Sequence, residues 1–394
     1  MGKKMSLVLG TNIWSHHQTP LAQQFISMLG ENHFRSAVFE NVDDERRSMG
    51  WASEHDVPWL IGPPHNETEK NNILRSCIDA DVMIIGDCPR EIMRARIATG
   101  KLTFIAAERI LKKPFHKLRM LNPRYALGIN EYCEMINRSN VHALTIGHYA
   151  PYDLQKIGAF ENRIWEWGYF TDVSATPPVE LPNRSLKILW CGRLLQLKRV
   201  DTILKAISKI RDSASIDECL IVGDGPAKES LIHLSNRLHL PQALIKFIPS
   251  VSFSQVRSLM RDSDVFIFPS NRYEGWGAVA GEAMSEGSVL VANEQAGAAR
   301  KLIVDGVTGF IFKDGDANQL ASYLNILSHD YKRRMMMRQL AWERMNTIWS
   351  PKVAAERLLS LIHGLLLGKP PFFAEGPCSK AIHHRLIEGE GYRV

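Results

Sequence analysis

Short, largely apolar runs alternate with stretches of helical periodicity along most of this chain. Runs at 6–10, 82–86, 102–106, 143–146, 186–191, 218–222, 244–248, 265–268, 289–292 and 310–312 have the length and composition of β-strands. They are apolar on both faces, the signature of parallel strands covered by helices on each side. Between them, Val200–Ile210, Ser230–Leu238 and Phe253–Met260 repeat apolar residues at helical spacing. Strand–helix alternation of this kind predicts parallel α/β sheets. A weak internal echo predicts two similar halves. Cys77-Ile78-Asp79-Ala80-Asp81-Val82-Met83-Ile84-Ile85 resembles Met260-Arg261-Asp262-Ser263-Asp264-Val265-Phe266-Ile267-Phe268. In each, a helix ends at an acidic turn that leads into a buried strand.

The stretch Thr171–Arg184 holds three prolines and few large apolar residues, which is linker composition. The expected division is therefore a first domain over 1–171, a linker over 172–184, a second domain over 185–350, and a helix with a tail over 351–394. That helix starts after Trp349-Ser350-Pro351 and runs to about Leu367. The tail Gly368–Val394 lacks periodicity and is expected to be loosely ordered.

A chain of 394 residues can bury two sizeable cores. No run of 18 apolar residues occurs, so no transmembrane helix is expected. The start, with Lys3-Lys4 and then Ser6–Gly10, reads as a first buried strand rather than a signal peptide. Cys77, Cys88, Cys133, Cys191, Cys219 and Cys378 form no C-x-x-C pair and read as reduced thiols of a cytoplasmic protein. The net charge of +6 is compatible with anionic partners but gives no reason to expect nucleic acid. One denser cluster, Arg109, Lys112, Lys113, His116, Lys117 and Arg119 among apolar residues, is read either as an anionic-membrane face or as a solvated helix face. The first reading would place the protein peripherally at the inner face of a membrane. The strings Asp79–Asp81 and Asp262–Asp264 precede buried strands and are expected to be turn residues rather than metal ligands.

The densest chemistry lies in Ser270–Gly287, SNRYEGWGAVAGEAMSEG, directly after the strand Val265–Phe268. A strand, a glycine-bracketed loop and a helix start make an anion site, because free N–H groups and the helix dipole point at whatever docks there. Glu274 and Glu282 beside it suit hydroxyl donors and would repel a bare phosphate. The expected ligand is a phosphate that carries a polyol, that is, a sugar nucleotide. The stretch Gly223-Asp224-Gly225-Pro226 also invites a dinucleotide reading, but the third glycine of that fingerprint falls on Lys228.

The pair Glu274 and Glu282 resembles the E-x7-E motif of retaining glycosyltransferases of the GT-B fold, most closely family 4. Other pieces agree in order: Gly192-Arg193 with Lys198-Arg199, Ile221–Pro226, Asp264 before Pro269-Ser270, Gly297, and Val304–Phe310. The resemblance covers roughly 185–350. It implies two Rossmann-like domains facing a cleft, with the C-terminal helix crossing back to the first. It implies a metal-independent enzyme without a cofactor, using a nucleoside-diphosphate sugar as donor and a glycan or lipid-linked acceptor, as in polysaccharide or glycolipid assembly. By the same resemblance, Arg193 and Lys198 would stabilise the leaving diphosphate, Glu274 would accept from sugar hydroxyls, and Glu282 from the ribose. The amides of Gly277, Ala278 and Val279 would face the diphosphate, with Gly192, Gly223, Gly275 and Ile248 lining the nucleotide. Trp276, where the family commonly has another aromatic, either walls the sugar pocket or belongs to the core.

The first half departs from the family. Its first loop, Thr11–Pro20, has His16-His17-Gln18 where many members have a glycine pair. His16 and His17 are candidate cleft residues. After the strand 102–106, where many members carry a histidine, the chain reads Ala107-Glu108-Arg109. Glu108 is a candidate sugar contact or general base, or an ordinary loop residue. The rival functions are a sugar-nucleotide epimerase of the same fold and a nucleotide-sugar-binding subunit without activity.

Overall fold

The structure, a computed structural model, describes residues 5–42, 57–111, 122–138, 140–182 and 185–381. The chain forms two compact units: Met1–Tyr169 with Lys352–Val394, and Phe170–Pro351.

The first unit holds a seven-stranded sheet of β1 (Leu7–Thr11), β2 (Phe34–Val38), β3 (Leu60–Ile61), β4 (Val82–Ile85), β5 (Thr103–Ala107), β6 (Val141–Ile146) and β7 (Ile164–Trp167). Its order is β3-β2-β1-β4-β5-β6-β7, every pair parallel. The second unit holds six parallel strands: β8 (Leu186–Cys191), β9 (Ile216–Val222), β10 (Ile245–Ile248), β11 (Val265–Phe268), β12 (Val289–Asn293) and β13 (Gly309–Phe312). Their order is β10-β9-β8-β11-β12-β13. Both sheets are doubly wound, reversing direction between β1 and β4 and between β8 and β11. The ten expected strands are all present within a residue or two, and β2, β3 and β7 are additional.

The echo between the halves has a structural cause. The Asp81 carboxylate, just ahead of β4, accepts from Ser6 N at 2.8 Å, just ahead of β1. Asp264, just ahead of β11, accepts from Lys187 N on β8, also at 2.8 Å. Asp264 further pairs with Arg334 at 3.3 Å, both side chains fully buried. Each aspartate pins the start of the two central strands of its sheet, as expected of turn residues.

The segment 172–182 does not behave as a free linker. Phe170 stacks on Trp349 with centroids 6.3 Å apart, Trp342 Nε1 donates to Ser174 O at 2.7 Å, and Tyr331 Oη donates to Leu181 O at 2.8 Å. Its prolines remove backbone donors, but its carbonyls are used by the helix Tyr331–Thr347. The tail corrects a second expectation. Glu166 N donates to Ser379 O at 2.9 Å and Cys378 N to Glu166 O at 2.8 Å, with an antiparallel bridge between Trp165 and Lys380. Residues 376–381 thus cover the open edge of β7, where unpaired backbone groups call for a partner. The rest of the tail, 382–394, lies outside the described residues.

Candidate functional site

At the carboxyl end of the second sheet, β8 and β9 end in glycines that touch. Gly192 N donates to Val222 O at 3.0 Å, and Gly223 N to Ile248 O at 2.9 Å at the end of β10. Gly223 has φ +136, and a Cβ there would lie 2.0 Å from Gly192 O. Only glycine lets these backbones approach so closely. After Gly192 the chain passes the exposed Arg193 and closes a short 3-10 turn, Gln196–Lys198. Arg199 then takes a left-handed conformation, φ 50, to open the helix Val200–Ile210. That helix buries Val200, Ile203, Leu204, Ile207 and Ile210, so the turn stands on a packed base.

The loop after β11 reaches the same place. Asn271 N donates to Leu197 O at 3.0 Å, and Glu274 N donates to Asn271 O at 3.0 Å. Lys198 Nζ then pairs with Glu274 Oε2, both side chains largely buried. The two loops therefore meet at the point where the strand order reverses, which is where open α/β sheets bind ligands. Gly277, φ 84, precedes the helix Ala278–Ser285, which has no side-chain cap. A Cβ at Gly277 would come 2.1 Å from Phe268 Cζ. Gly277, Ala278 and Val279 are half-buried, so the helix start keeps its positive end partly open.

Glu282 lies on that helix, 3% exposed. Burial, and then the Glu282 charge, push the Cys191 thiol up to about 12, against the pull of Lys198. Cys191, the last residue of β8, thus has both Glu282 and Lys198 as electrostatic neighbours. Gly192, Lys198, Gly223, Ile248, Glu274 and Glu282, expected from sequence, belong to one end of one sheet. Gly275 is buried on the intervening loop. Trp276 is 1% exposed, its ring 5.4 Å from that of Trp349. Asn271 was not singled out from sequence, yet it joins the two loops. Its Oδ1 also accepts from Tyr273 N at 3.1 Å. An asparagine just past a strand, ahead of a glycine loop, is a turn signal that could have found it.

The remaining candidates are in the first unit. His16 and His17 follow β1 with their rings 3.9 Å apart. Gln18 braces their loop, accepting from Ser15 N at 2.8 Å and donating to Thr11 Oγ1 at 3.1 Å. Glu108 follows β5 and accepts a 2.6 Å hydrogen bond from Tyr169 Oη. Arg109 is no part of an exposed basic face: it pairs with Asp153 at 3.1 Å with both side chains buried. The residues Lys112, Lys113, His116, Lys117 and Arg119 lie outside the described residues.

Residues 176–344 match the family model described as glycosyl transferases group 1. The matched stretch lies within the second unit. A D-inositol 3-phosphate glycosyltransferase of Salinispora tropica is 28% identical over 188 residues, 44% of this chain and 39% of that protein. The capsular polysaccharide biosynthesis glycosyltransferase CapM of Staphylococcus aureus is 27% identical over 191 residues, 48% of each chain. The chain thus matches less than half the length of these relatives. Among solved structures, Anabaena Alr3699/HepE in complex with UDP has a TM-score of 0.66 at 15% identity, covering 91% of this chain and 100% of that one. Sucrose-phosphate synthase from Thermosynechococcus elongatus has a TM-score of 0.63 at 15% identity, covering 92% and 100%. At such identity the likeness establishes the fold, which is GT-B.

Proposed function

We propose that this chain is a retaining, metal-independent glycosyltransferase that moves a sugar from a nucleoside-diphosphate sugar to an acceptor hydroxyl in polysaccharide or glycolipid assembly. The observation that carries the reading is the convergence of Lys198, Glu274 and Glu282 with an uncapped helix start at the switch point of the second sheet. The open helix start favours the diphosphate. Glu274 and Glu282 are acceptors, and hydroxyls of the sugar and ribose are the donors that match them. As the glycosidic bond breaks, charge grows on the leaving diphosphate. Lys198, with Arg193 on the same loop, supplies the cations that a metal would otherwise supply. Release of Lys198 from Glu274 on donor binding would free the carboxylate for the sugar. With no carboxylate assigned as a nucleophile, attack on the same face, assisted by the leaving phosphate oxygen, gives retention. Glu108, His16 and His17 are proposed to act on the acceptor side.

Proton NMR of the product, made with the matching nucleotide sugar and an acceptor, tests the reading. A product with the donor's anomeric configuration is expected, and an inverted one contradicts the mechanism. Glu274→Ala should lower turnover by about a hundredfold or more. Loss of affinity alone would favour a binding subunit, and an isomerised nucleotide sugar made without acceptor would favour an epimerase.

A further inference from the structure

At the end of the first sheet opposite the carboxyl-terminal loops lies a cavity of about 970 Å³. It is lined at the starts of β4, β5 and β7 by Asp81, Leu102 and Arg163, and on another side by Leu359, Ile362 and Leu366 of the helix Pro351–Leu366. Lys101, Arg163 and Lys380 line it against one acidic side chain, Asp81, which holds Ser6. Lys101 donates to Asp79 O and Lys380 to Asn162 O, both at 2.6 Å, so these cations rest on carbonyls. Arg163 Nη1 is out of solvent with no hydrogen-bond partner among the described residues. Lys101 and Arg163 are half-buried and Lys380 is exposed; with Glu161 beside Arg163 and Asp81 held by Ser6, the three cations leave a positive excess that favours an anion.

Beside the cavity mouth, three large apolar side chains face water: Leu366 at 65%, Leu367 at 63% and Phe372 at 86% exposure. They do not belong to a frayed end. Leu367 N donates to His363 O at 3.1 Å, Gly368 N to Leu365 O at 3.1 Å, and Lys369 N to Gly364 O at 2.7 Å. Pro371 closes against Gly364, where a Cβ would come 2.7 Å from its Cδ. A braced turn that presents apolar tips next to cations has the composition of an interfacial anchor. Three side chains fall well short of the roughly 800 Å² per partner that a stable protein interface buries.

We propose that this turn and the adjoining cavity mouth dock on an anionic lipid bilayer. Leu366, Leu367 and Phe372 enter the interfacial layer, while the exposed Lys369 and Lys380 meet the headgroup phosphates. Among the described residues no helix is long and apolar enough to cross a membrane. Docking of this kind does not depend on sugar transfer and needs no activity to test.

The test is co-sedimentation of the full chain with vesicles of phosphatidylcholine alone or with about 30 mol% phosphatidylglycerol. Binding to the anionic vesicles alone is expected, weakened by raised salt. The double substitution Leu367→Ser with Phe372→Ser should cut partitioning at least about tenfold with the melting temperature unchanged, since both side chains are exposed. Equal partitioning onto neutral vesicles, or binding untouched by the double substitution, would overturn the proposal. So would a dimer in sedimentation velocity that the same substitution abolishes.

Discussion

His142 shows how far one side chain can depart from what its neighbours in sequence imply. It lies on β6 within an apolar run, 6% exposed, and its Nδ1 accepts from Trp165 Nε1 at 3.2 Å. Burial, followed by the charges of Arg163 and Lys380, lowers its pKa from 6.5 to about 4. Between those values the unfolded chain binds a proton that the folded chain refuses. Stability should therefore fall as pH drops from about 6.5 towards 4, by up to roughly 3 kcal/mol. Urea midpoints measured across that range should show the loss in the native chain, and His142→Asn should flatten it. An equal slope in the variant would assign the acid sensitivity elsewhere. At this scale the sequence was informative where a residue type and a motif coincide, as for Lys198, Glu274 and Glu282. It was silent where a side chain's role depends on long-range partners. Arg109 reads as part of a basic helix face until Asp153, far along the chain, is placed against it.

At the scale of elements, strands buried on both faces were legible because a short, continuous apolar run is stable only where both of its faces are covered. The missed strands have different compositions. β2 reads Phe-Arg-Ser-Ala-Val, β7 reads Ile-Trp-Glu-Trp, and β3 is two residues long. Polar residues inside them find partners only in the fold: Ser36 Oγ, for example, donates to Leu9 O at 3.3 Å. The loops of the site depend on glycines instead. Gly223→Ala would set a methyl group against the Gly192 carbonyl at 2.0 Å, and a backbone atom cannot rotate away. A loss of at least about 2 kcal/mol is expected, which lowers the melting temperature by roughly 5 °C or more. Differential scanning calorimetry checks this. An unshifted transition would mean that the β8 and β9 ends can part freely, and the rigid cradle would be refuted.

At the scale of the whole molecule, the two units differ in chain connectivity. Phe170–Pro351 is continuous, with its own sheet and a core that includes Ile188, Ile203, Ile221, Ile267, Leu320 and Leu324. The first unit is discontinuous, because Lys352–Val394 returns to it. In the helix Pro351–Leu366, Leu358 and Leu361 are fully buried and Ile362 nearly so. A fragment of residues 170–351 should therefore fold alone, giving a cooperative melt, while 1–169 without the returning segment should be poorly soluble. Cooperative folding of the shorter N-terminal fragment would show that the returning helix adds little to that unit. The two-unit plan was readable from the repeated strand–helix pattern and the proline-rich joint. The packing of that joint onto the second unit was not, because its contacts come from Trp342 and Tyr331, over a hundred residues later.

The donor site is the feature on which the functional reading depends, and isothermal titration tests it most directly. The native chain, Arg193→Ala and Glu282→Gln would each be titrated with UDP, GDP, dTDP and ADP and their common sugars, with and without divalent metal. Binding of one nucleotide family by the native chain, without metal and at least about tenfold weaker in both variants, is the expected result. Absence of binding to every nucleotide, or binding that both substitutions leave unchanged, would contradict a donor site at the carboxyl end of β8 and β11.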